Sequence, residues 1–311
     1  MKLLFKFFII TFLSLFCGCI LSPLEYEEEN NWTTYWVDNN NPNSNVFNVL
    51  VTSDNKLWAG TDNGVNVFDY KVWTTYNTNT TKNTLESNSI YSLAQGENGI
   101  WAGSFKGLFF FDYSTWKKID SIGDTLVESL YYQNGNLWVG TNNGLFLLVP
   151  QGNGTKISTN TTGNRISAIT SDQENMWVGT DNGLAKLYNG SPTATYTTTN
   201  GLSNNIIKSL ASNGKFLWAG TANGLNRLDI IKNEWTNYTT SNTKELQSND
   251  ILALMLTNDI LYAGTSQGLN KFDGKIWSKV APDEISHVLS LAIQGNTLWV
   301  GTKNGILKGE I

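Results

Sequence analysis

The sequence predicts an all-β fold, a seven-bladed β-propeller in which an N-terminal strand closes the last blade. Three observations support this prediction. One unit recurs seven times after residue 30, with 37 to 44 residues between successive copies. Each copy holds segments typical of four short strands, as a propeller blade does. The two ends of the chain carry complementary parts of one unit.

The first eighteen residues are predicted to be a lipoprotein signal peptide. The apolar run from Leu3 to Phe16 is too short for a stable membrane span and is typical of a secretory signal. It leads to Cys17-Gly18-Cys19, which resembles the bacterial lipobox, so Cys19 is the expected lipidation site. Phe16 stands where leucine is usual, which leaves ordinary signal cleavage or an uncleaved anchor helix as alternatives.

Residues 19–30 are predicted to form a short acidic tether, and residues 31–311 the propeller. Both cysteines of the chain, Cys17 and Cys19, precede the propeller, so their position excludes disulfides and thiolate metal sites within it. Removal of the signal peptide would change the net charge from -5 to -7. An acidic domain with two arginines is a poor binder of nucleic acid or of anionic membranes.

The first two strands of each unit have a fixed pattern. Strand a is predicted around a β-branched residue, and strand b around an aromatic residue eleven or twelve positions later. The β-branched residues are Val46, Ile90, Val127, Ile166, Ile207, Ile251 and Val288. The aromatic residues are Trp58, Trp101, Trp138, Trp177, Trp218, Tyr262 and Trp299. A glycine follows each aromatic residue two positions on, on the same face, so neighbouring sheets are expected to interlock there.

The last two strands follow a tight turn. The turn from strand b to strand c contains Asn-Gly in five copies, the pair that best tolerates positive φ in hairpins. Strand c leads in four copies to an aspartate that is predicted to hold the next turn. These residues are Asp69, Asp112, Asp229 and Asp273. Strand d carries a tryptophan, with weaker versions expected near Thr155 and Thr193.

The two ends of the propeller are predicted to meet in one blade. The last unit stops at Ile311, just after strand c, and lacks a strand d. At the other end, Trp32-Thr-Thr-Tyr35 matches the strand d segment Trp73-Thr-Thr-Tyr76. The N-terminal strand should therefore complete the seventh blade, because this pairing removes open strand edges.

The repeat resembles a known family. The motif Leu-Trp-Val/Ala-Gly-Thr-x-x-Gly-Leu, preceded by Ile-x-Ser/Ala-Leu and followed by Trp-x-x-Tyr, is similar to the two-component-regulator propeller repeat. It covers nearly all of residues 30–311. Proteins with this repeat include extracellular sensor halves of hybrid histidine kinases, which respond to oligosaccharides, and free-standing envelope proteins. The resemblance implies a binding or sensing domain here, because this sequence has one propeller and no kinase.

Known catalytic propellers make demands that this sequence does not meet. A propeller of the streptogramin-lyase type needs catalytic histidine, whereas this sequence has a single histidine, His287. A propeller of the sialidase type needs an arginine cluster, whereas this sequence has two arginines. No cluster of residues has metal-ligand spacing, and no phosphate or dinucleotide fingerprint occurs. The sequence therefore predicts a protein that is not an enzyme and needs no metal or other cofactor. A lyase or glycosidase using carboxylates such as Asp62, Asp181 or Asp250 is the alternative.

The residue that precedes strand a is polar in five units and is expected near the rim of the central channel. These candidate ligand-binding residues are Asn45, Ser89, Arg165, Asp250 and His287. They are interpreted as polar groups facing a ligand, with ordinary solvated loop ends as the alternative. Two long polar loops, 77–89 and 239–250, are expected on the same face. Their amides and hydroxyls could bind sugars or peptide backbone, or could serve only to keep the protein soluble.

Together these features predict a non-catalytic lipoprotein of the bacterial cell envelope, on its periplasmic or cell-surface side. Its propeller would bind an oligosaccharide or an envelope protein, and the lipid would be its only contact with the membrane. Trp36 alone among the tryptophans falls outside the repeat pattern and is a possible exposed stacking surface. A structural scaffold within a larger envelope complex is a further alternative.

Overall fold

A computed structural model describes residues 32–35, 45–149, 155–157, 159, 163–282 and 284–311. Within these ranges the chain forms seven separate four-stranded antiparallel sheets, the blades of the predicted propeller. The signal peptide, the expected lipidation site Cys19, the acidic tether and Trp36 lie outside the described residues. The part of the chain that is described holds no helix with the length and apolar character needed to cross a membrane.

The strands follow one another in chain order through the blades. Blade 1 consists of β2 (Val46–Val51), β3 (Leu57–Thr61), β4 (Gly64–Phe68) and β5 (Trp73–Tyr76), and blade 2 of β6 (Ile90–Gln95), β7 (Ile100–Ser104), β8 (Gly107–Phe111) and β9 (Trp116–Lys118). Blade 3 consists of β10 (Val127–Gln133), β11 (Asn136–Thr141), β12 (Gly144–Leu148) and β13 (Thr155–Ile157). Blade 4 consists of β14 (Ile166–Ser171), β15 (Asn175–Thr180), β16 (Gly183–Tyr188) and β17 (Ser191–Tyr196).

The remaining blades are built in the same way. Blade 5 consists of β18 (Ile207–Ser212), β19 (Phe216–Thr221), β20 (Gly224–Asp229) and β21 (Glu234–Tyr238), and blade 6 of β22 (Ile251–Thr257), β23 (Ile260–Thr265), β24 (Gly268–Phe272) and β25 (Trp277–Lys279). Blade 7 consists of β26 (Val288–Gln294), β27 (Thr297–Thr302), β28 (Gly305–Glu310) and the N-terminal β1 (Trp32–Tyr35). A 3-10 turn, Asp120–Ile122, follows β9.

The closure of the ring is confirmed. Strand β1 pairs antiparallel with β28, with Trp32 opposite Gly309 and Tyr35 opposite Ile306. The indole N–H of Trp32 donates a hydrogen bond to the carbonyl of Val280 at 3.2 Å. A Cβ on Gly309 would stand 2.7 Å from the Trp32 ring, so the bare backbone of this glycine makes room for the indole. The seventh blade is thus assembled from both ends of the chain.

The hydrophobic core lies between blades. The Trp58 indole of blade 1 packs with its ring centroid 6.0 Å from that of Phe111 in blade 2, and Trp218 of blade 5 lies 5.6 Å from Phe272 and 6.5 Å from Trp277 in blade 6. The aromatic residue of strand b is therefore covered by the end of strand c and by strand d of the following blade. In these two pairs of blades, the following blade buries the strand b tryptophan of its neighbour.

A threonine or serine fixes every turn between strands b and c. In blade 1 the hydroxyl of Thr61 donates to the carbonyl of Gly64 at 3.0 Å and accepts the backbone N–H of Asn63 at 3.0 Å. All seven blades repeat both bonds, with Ser104 in place of threonine in blade 2. This hydroxyl explains why the Gly-Thr pair recurs, since the glycine packs and the threonine closes the turn.

Each strand a carries a bulge at the same position. The pairing between strands a and b passes from Val46 to Asn48 in blade 1, and the residue between them has no partner on strand b. The same skip occurs in all other blades. A bulge re-aims the side chain of the unpaired residue. Seven side chains are thereby released from the regular alternation of their strands.

Candidate functional site

The seven bulge residues line one cavity at the mouth of the central channel. They are Phe47, Tyr91, Glu128, Ser167, Lys208, Leu252 and Leu289, one from each blade. The cavity has a volume of about 280 Å³ and also touches Arg165, Asp181 and Ile206. Every one of the seven is partly exposed, whereas the β-branched residue before each of them is buried. The bulge thus supplies a ring of accessible side chains on a rigid base.

The ring has an apolar arc and a polar arc. Blades 6, 7, 1 and 2, which are adjacent around the ring, contribute Leu252, Leu289, Phe47 and Tyr91. The Phe47 and Tyr91 ring centroids lie 4.8 Å apart, so these two rings form a continuous aromatic surface. Blades 3, 4 and 5 contribute the polar residues described next. A molecule in the mouth therefore meets hydrocarbon on one side and charged or hydroxyl groups on the other.

An ion pair marks the start of the polar arc. The Nε of Arg165 donates to both carboxylate oxygens of Glu128, at 2.7 and 2.8 Å. The Glu128 side chain is 10% exposed and that of Arg165 is 60% exposed. Charge-assisted contacts of this kind hold both groups in a defined geometry. The pair presents a fixed carboxylate and a fixed guanidinium at the cavity wall.

A second ion pair and a hydroxyl complete the polar arc. Lys208 donates to the carboxylate of Asp250, and both side chains are about one-third exposed, at 31% and 34%. Between the two pairs, the Ser167 hydroxyl donates to the carbonyl of Ile207 at 2.6 Å, and its oxygen retains lone pairs that can accept. Donors and acceptors thus alternate along this side of the mouth.

The five candidate residues predicted from the sequence lie two positions before the ring residues of their blades. The backbone carbonyls of four of them accept N–H groups from the turns between strands b and c, at 3.1 to 3.4 Å. These four are Asn45, Ser89, Arg165 and Asp250. The turns between strands b and c and the loops that enter strand a therefore lie on one face of the propeller. Of the five, Arg165 and Asp250 also reach the ring, through their ion pairs with Glu128 and Lys208.

The other three candidates contact neighbouring turns. The Asn45 amide donates to the carboxylate of Asp62 at 2.8 Å. The Ser89 backbone N–H donates to the Ser87 hydroxyl at 3.3 Å. His287 has a positive φ of 50°, donates its backbone N–H to Ser266 at 3.2 Å and has Nδ1 within 3.3 Å of the Ser286 hydroxyl. These contacts stabilise the ends of the loops that lead into strand a.

The ring residues themselves were missed by the sequence analysis. The available signal was a position of variable chemistry between two nearly constant ones: a β-branched residue precedes it, and a small or polar residue such as Ser92, Ser129 or Ala168 follows it. The small or polar residue at this following position is buried in six of the seven blades, and Asn48 of blade 1 is the partly exposed exception. The Ser129 hydroxyl, for example, is buried and donates to the Ile166 carbonyl at 3.1 Å.

The long loops use their amide side chains on their own backbone. In the loop of residues 77–89, the amide oxygens of Asn77 and Asn88 accept backbone N–H groups at 2.9 to 3.1 Å. In the loop of residues 239–250, Asn242 and Asn249 do the same at 2.8 Å. Fully buried Leu85 anchors the first loop. The asparagines of the two long loops therefore have a structural role. The ring of bulge residues is the stronger candidate for a binding site.

The carboxylates of the alternative enzymatic reading come from different blades. Asp62 accepts from Asn45, Asp181 lines the cavity, and Asp250 is paired with Lys208. Among the described residues, no group of three or more His, Cys, Asp or Glu side chains could hold a metal ion.

Solved structures with the same fold include extracellular domains from B. thetaiotaomicron. One belongs to a hybrid two-component system, with a TM-score of 0.78 and 20% identity over 90% of this chain. Another belongs to a one-component system, with a TM-score of 0.75 and 22% identity over 90% of this chain. This chain spans 41% and 40% of those two chains. At such identities the likeness shows the shared fold.

A lyase shares the fold as well. Virginiamycin B lyase from Staphylococcus aureus matches with a TM-score of 0.72 and 14% identity, over 90% of this chain and 99% of its own. A catalytically inactive histidine-to-alanine form of that lyase with quinupristin matches with a TM-score of 0.71. No protein-family model and no curated protein sequence matches this chain.

Proposed function

We propose that this chain is a non-catalytic, ligand-binding propeller whose channel mouth holds one saccharide unit of a glycan. The observation that carries the proposal is the division of the seven bulge residues into an apolar and a polar arc. A pyranose ring has an apolar C–H face and a periphery of hydroxyl groups. The Phe47 and Tyr91 rings suit the first, and the two ion pairs with Ser167 suit the second.

The volume and the rigidity of the cavity at the channel mouth favour a small ligand. Its volume of about 280 Å³ lies near the lower end of ligand cavities, which run from about 300 to about 1,000 Å³. The ring residues follow buried anchors on seven different sheets, so the site is largely formed before a ligand arrives. A terminal sugar could enter from the loop face while the rest of the glycan stays outside.

We further propose that the domain is exported and belongs to the cell envelope. The secretory signal pattern and the lipobox-like Cys19 support this placement, and the extracellular domains with the same fold are consistent with it. An envelope protein that presents a sugar-like or peptide group is the second class of partner that the mouth suits.

The test is a glycan array followed by titration calorimetry on the purified protein. Tyr91→Ala removes half of the aromatic surface, and Glu128→Gln removes one charge of the polar arc. Each is expected to weaken binding about tenfold, the equivalent of about 1.4 kcal/mol. Tyr188→Ala and Glu174→Gln are matched controls, because both residues are exposed and outside the cavity, and these variants should bind normally.

Two results would contradict the proposal. One is the absence of any bound glycan on the array together with a blank pull-down from envelope extracts. The other is a glycan that binds the Tyr91→Ala and Glu128→Gln variants as tightly as the unchanged protein, since its site would then lie elsewhere.

A lyase is the second candidate function. It is favoured by the lyase of the same fold and by His287, the single histidine of the chain, which lies on the mouth face beside Ser266. If turnover of any envelope polysaccharide or cyclic peptide is found, His287→Ala and Asp250→Ala should abolish it. Turnover that survives both substitutions would exclude this assignment of the catalytic groups.

A further inference from the structure

One blade interface breaks the packing rule of the propeller. Six of the seven strand b aromatic residues are buried, and the exception is Trp101 of blade 2, which is half-buried. In blades 1 and 5 the equivalent indole is covered by a phenylalanine at the end of strand c in the following blade. Blade 3 has Leu148 at that position. Its strand d also lacks the usual tryptophan, since no tryptophan occurs between Trp138 and Trp177. Trp101 therefore has less cover than its counterparts.

Blade 4 shows how this gap can be compensated. It also lacks a strand d tryptophan, but its strand β17 is six residues long, whereas β13 of blade 3 has three. Leu187 of blade 4 is fully buried in one cluster with Trp138. The gap that remains open is the one between blades 2 and 3.

This gap is a cleft with aromatic walls and a volume of about 540 Å³. The Trp101 and Phe110 ring centroids lie 4.4 Å apart at an interplanar angle of 43°. Tyr132 and Leu148 line the cleft from blade 3. Its volume is within the range of about 300 to about 1,000 Å³ typical of small-molecule sites. Among the residues that the structure describes, none lines both this cleft and the channel mouth.

The turn before strand b seats both rings. A Cβ on Gly96 would lie 2.7 Å from Nε1 of Trp101, and a Cβ on Gly99 would lie 2.6 Å from Cζ of Phe110. The backbone N–H of Gly96 donates to the carbonyl of Gly99 at 2.9 Å, which closes this turn. Because neither glycine has a side chain, both rings can lie directly against this turn.

The charges at the cleft are predominantly negative. Its lining includes the carboxylates of Glu97 and Asp120 and the ammonium of Lys118. Lys118 is already held by Glu86 at 2.8 Å and by Asp124 at 2.6 Å. Within the described ranges, the ion pairs of the protein give neither Glu97 nor Asp120 a cationic partner. The local field therefore favours a positive guest.

We infer that the cleft between blades 2 and 3 binds a small organic cation that carries an apolar group, such as an aryl-alkyl ammonium. The faces of Trp101 and Phe110 attract a cation through their ring quadrupoles and accommodate the apolar group. Glu97 and Asp120 supply the opposite charge at the rim. A neutral molecule of the same shape would use only the apolar part of the site.

The test uses benzyltrimethylammonium as the probe and benzyl alcohol as its neutral counterpart. The indole N–H signal of Trp101 in a ¹H–¹⁵N spectrum of the full chain is assigned by its loss in Trp101→Phe. The ammonium probe should shift this signal saturably, and benzyl alcohol should bind at least about fivefold more weakly. The double variant Glu97→Gln, Asp120→Asn should weaken binding of the ammonium about tenfold.

Two further variants complete the test. Glu174→Gln, in the corresponding turn of blade 4, should leave binding of the ammonium unchanged. Leu148→Phe restores the side chain used by blades 1, 2 and 6 and partly fills the cleft, so it should weaken binding while the melting temperature holds or rises. The inference is overturned if no shift occurs at about 10 mM probe, if benzyl alcohol or a methyl glycoside binds as well, or if the double variant binds normally.

Discussion

The glycine of strand b shows how tightly the blades interlock. A Cβ on Gly220 would lie 2.3 Å from the Ser209 hydroxyl oxygen and 2.7 Å from Cγ2 of Ile251 in the next blade. The corresponding glycines of the other blades meet the next blade's β-branched residue at comparable distances. The Trp-x-Gly pattern is thus a packing device, as the sequence analysis predicted from the shared face of the two residues.

We predict that Gly220→Ala destabilises the protein by about 2 to 3 kcal/mol, because the added methyl group has no space between two fixed strands. Gly274→Ala is the matched control. Gly274 has a positive φ of 94° but nothing within 4 Å of a built Cβ, so only backbone strain of about 1 kcal/mol is expected. Urea denaturation measures both free energies of unfolding. Equal losses in the two variants would contradict the interlock.

The turns between strands c and d depend on single carboxylates. Asp112 accepts the backbone N–H groups of Ser114 and Thr115 at 3.1 and 2.9 Å and pairs with Lys117 at 2.7 Å. Asp69 and Asp273 hold the equivalent turns of blades 1 and 6 in the same way. The predicted role of the strand c aspartates is therefore confirmed.

The Lys117 ammonium and the two turn N–H groups lower the pKa of Asp112 from 3.8 to about 2. A carboxyl group whose pKa is lower in the folded than in the unfolded state contributes stability above the unfolded value and loses it as the pH falls through the folded one. We therefore predict that the stability difference between the unchanged protein and Asp112→Asn shrinks from pH 5 to pH 2.

A carbon-detected NMR titration measures the Asp112 pKa directly. Lys117→Met should raise that pKa toward its ordinary value, because the largest cause of the shift is removed. A pKa near 4 in the unchanged protein would contradict the proposed role of the turn.

The sequence predicted the strands well and the channel ring poorly, for one physical reason. Strand types, turns and the order of elements follow from side-chain periodicity, which residues such as Val46, Trp58 and Gly60 repeat seven times. The site depends on a departure from periodicity, the bulge that frees Phe47 and its six counterparts. A bulge cannot be recognised from a sequence pattern that alternates every two residues, so the predicted site residues lie two positions before the ring residues.

The closing strand decides whether the ring is complete. We predict that deleting residues 30–37 lowers the melting temperature by about 10 °C or more, since blade 7 loses Trp32 and its outer strand and exposes the edge of β28. A chain that begins at residue 30 is the matched control and should melt normally. If the two chains melt alike in a calorimetric scan, β1 contributes nothing to closure.

The pairing of β1 with β28 also sets the order in which the protein can form. Trp32 and its partner Gly309 are 277 positions apart in the chain. At about 5 to 20 residues per second, the ribosome would need roughly 15 to 60 s to make the intervening segment. For that whole interval the first strand to emerge lacks its partner, and the entropy lost on joining such distant segments makes this contact a late one. A nascent chain released before β28 is made would have six complete blades, and β1 and β27 would each present an unpaired strand edge.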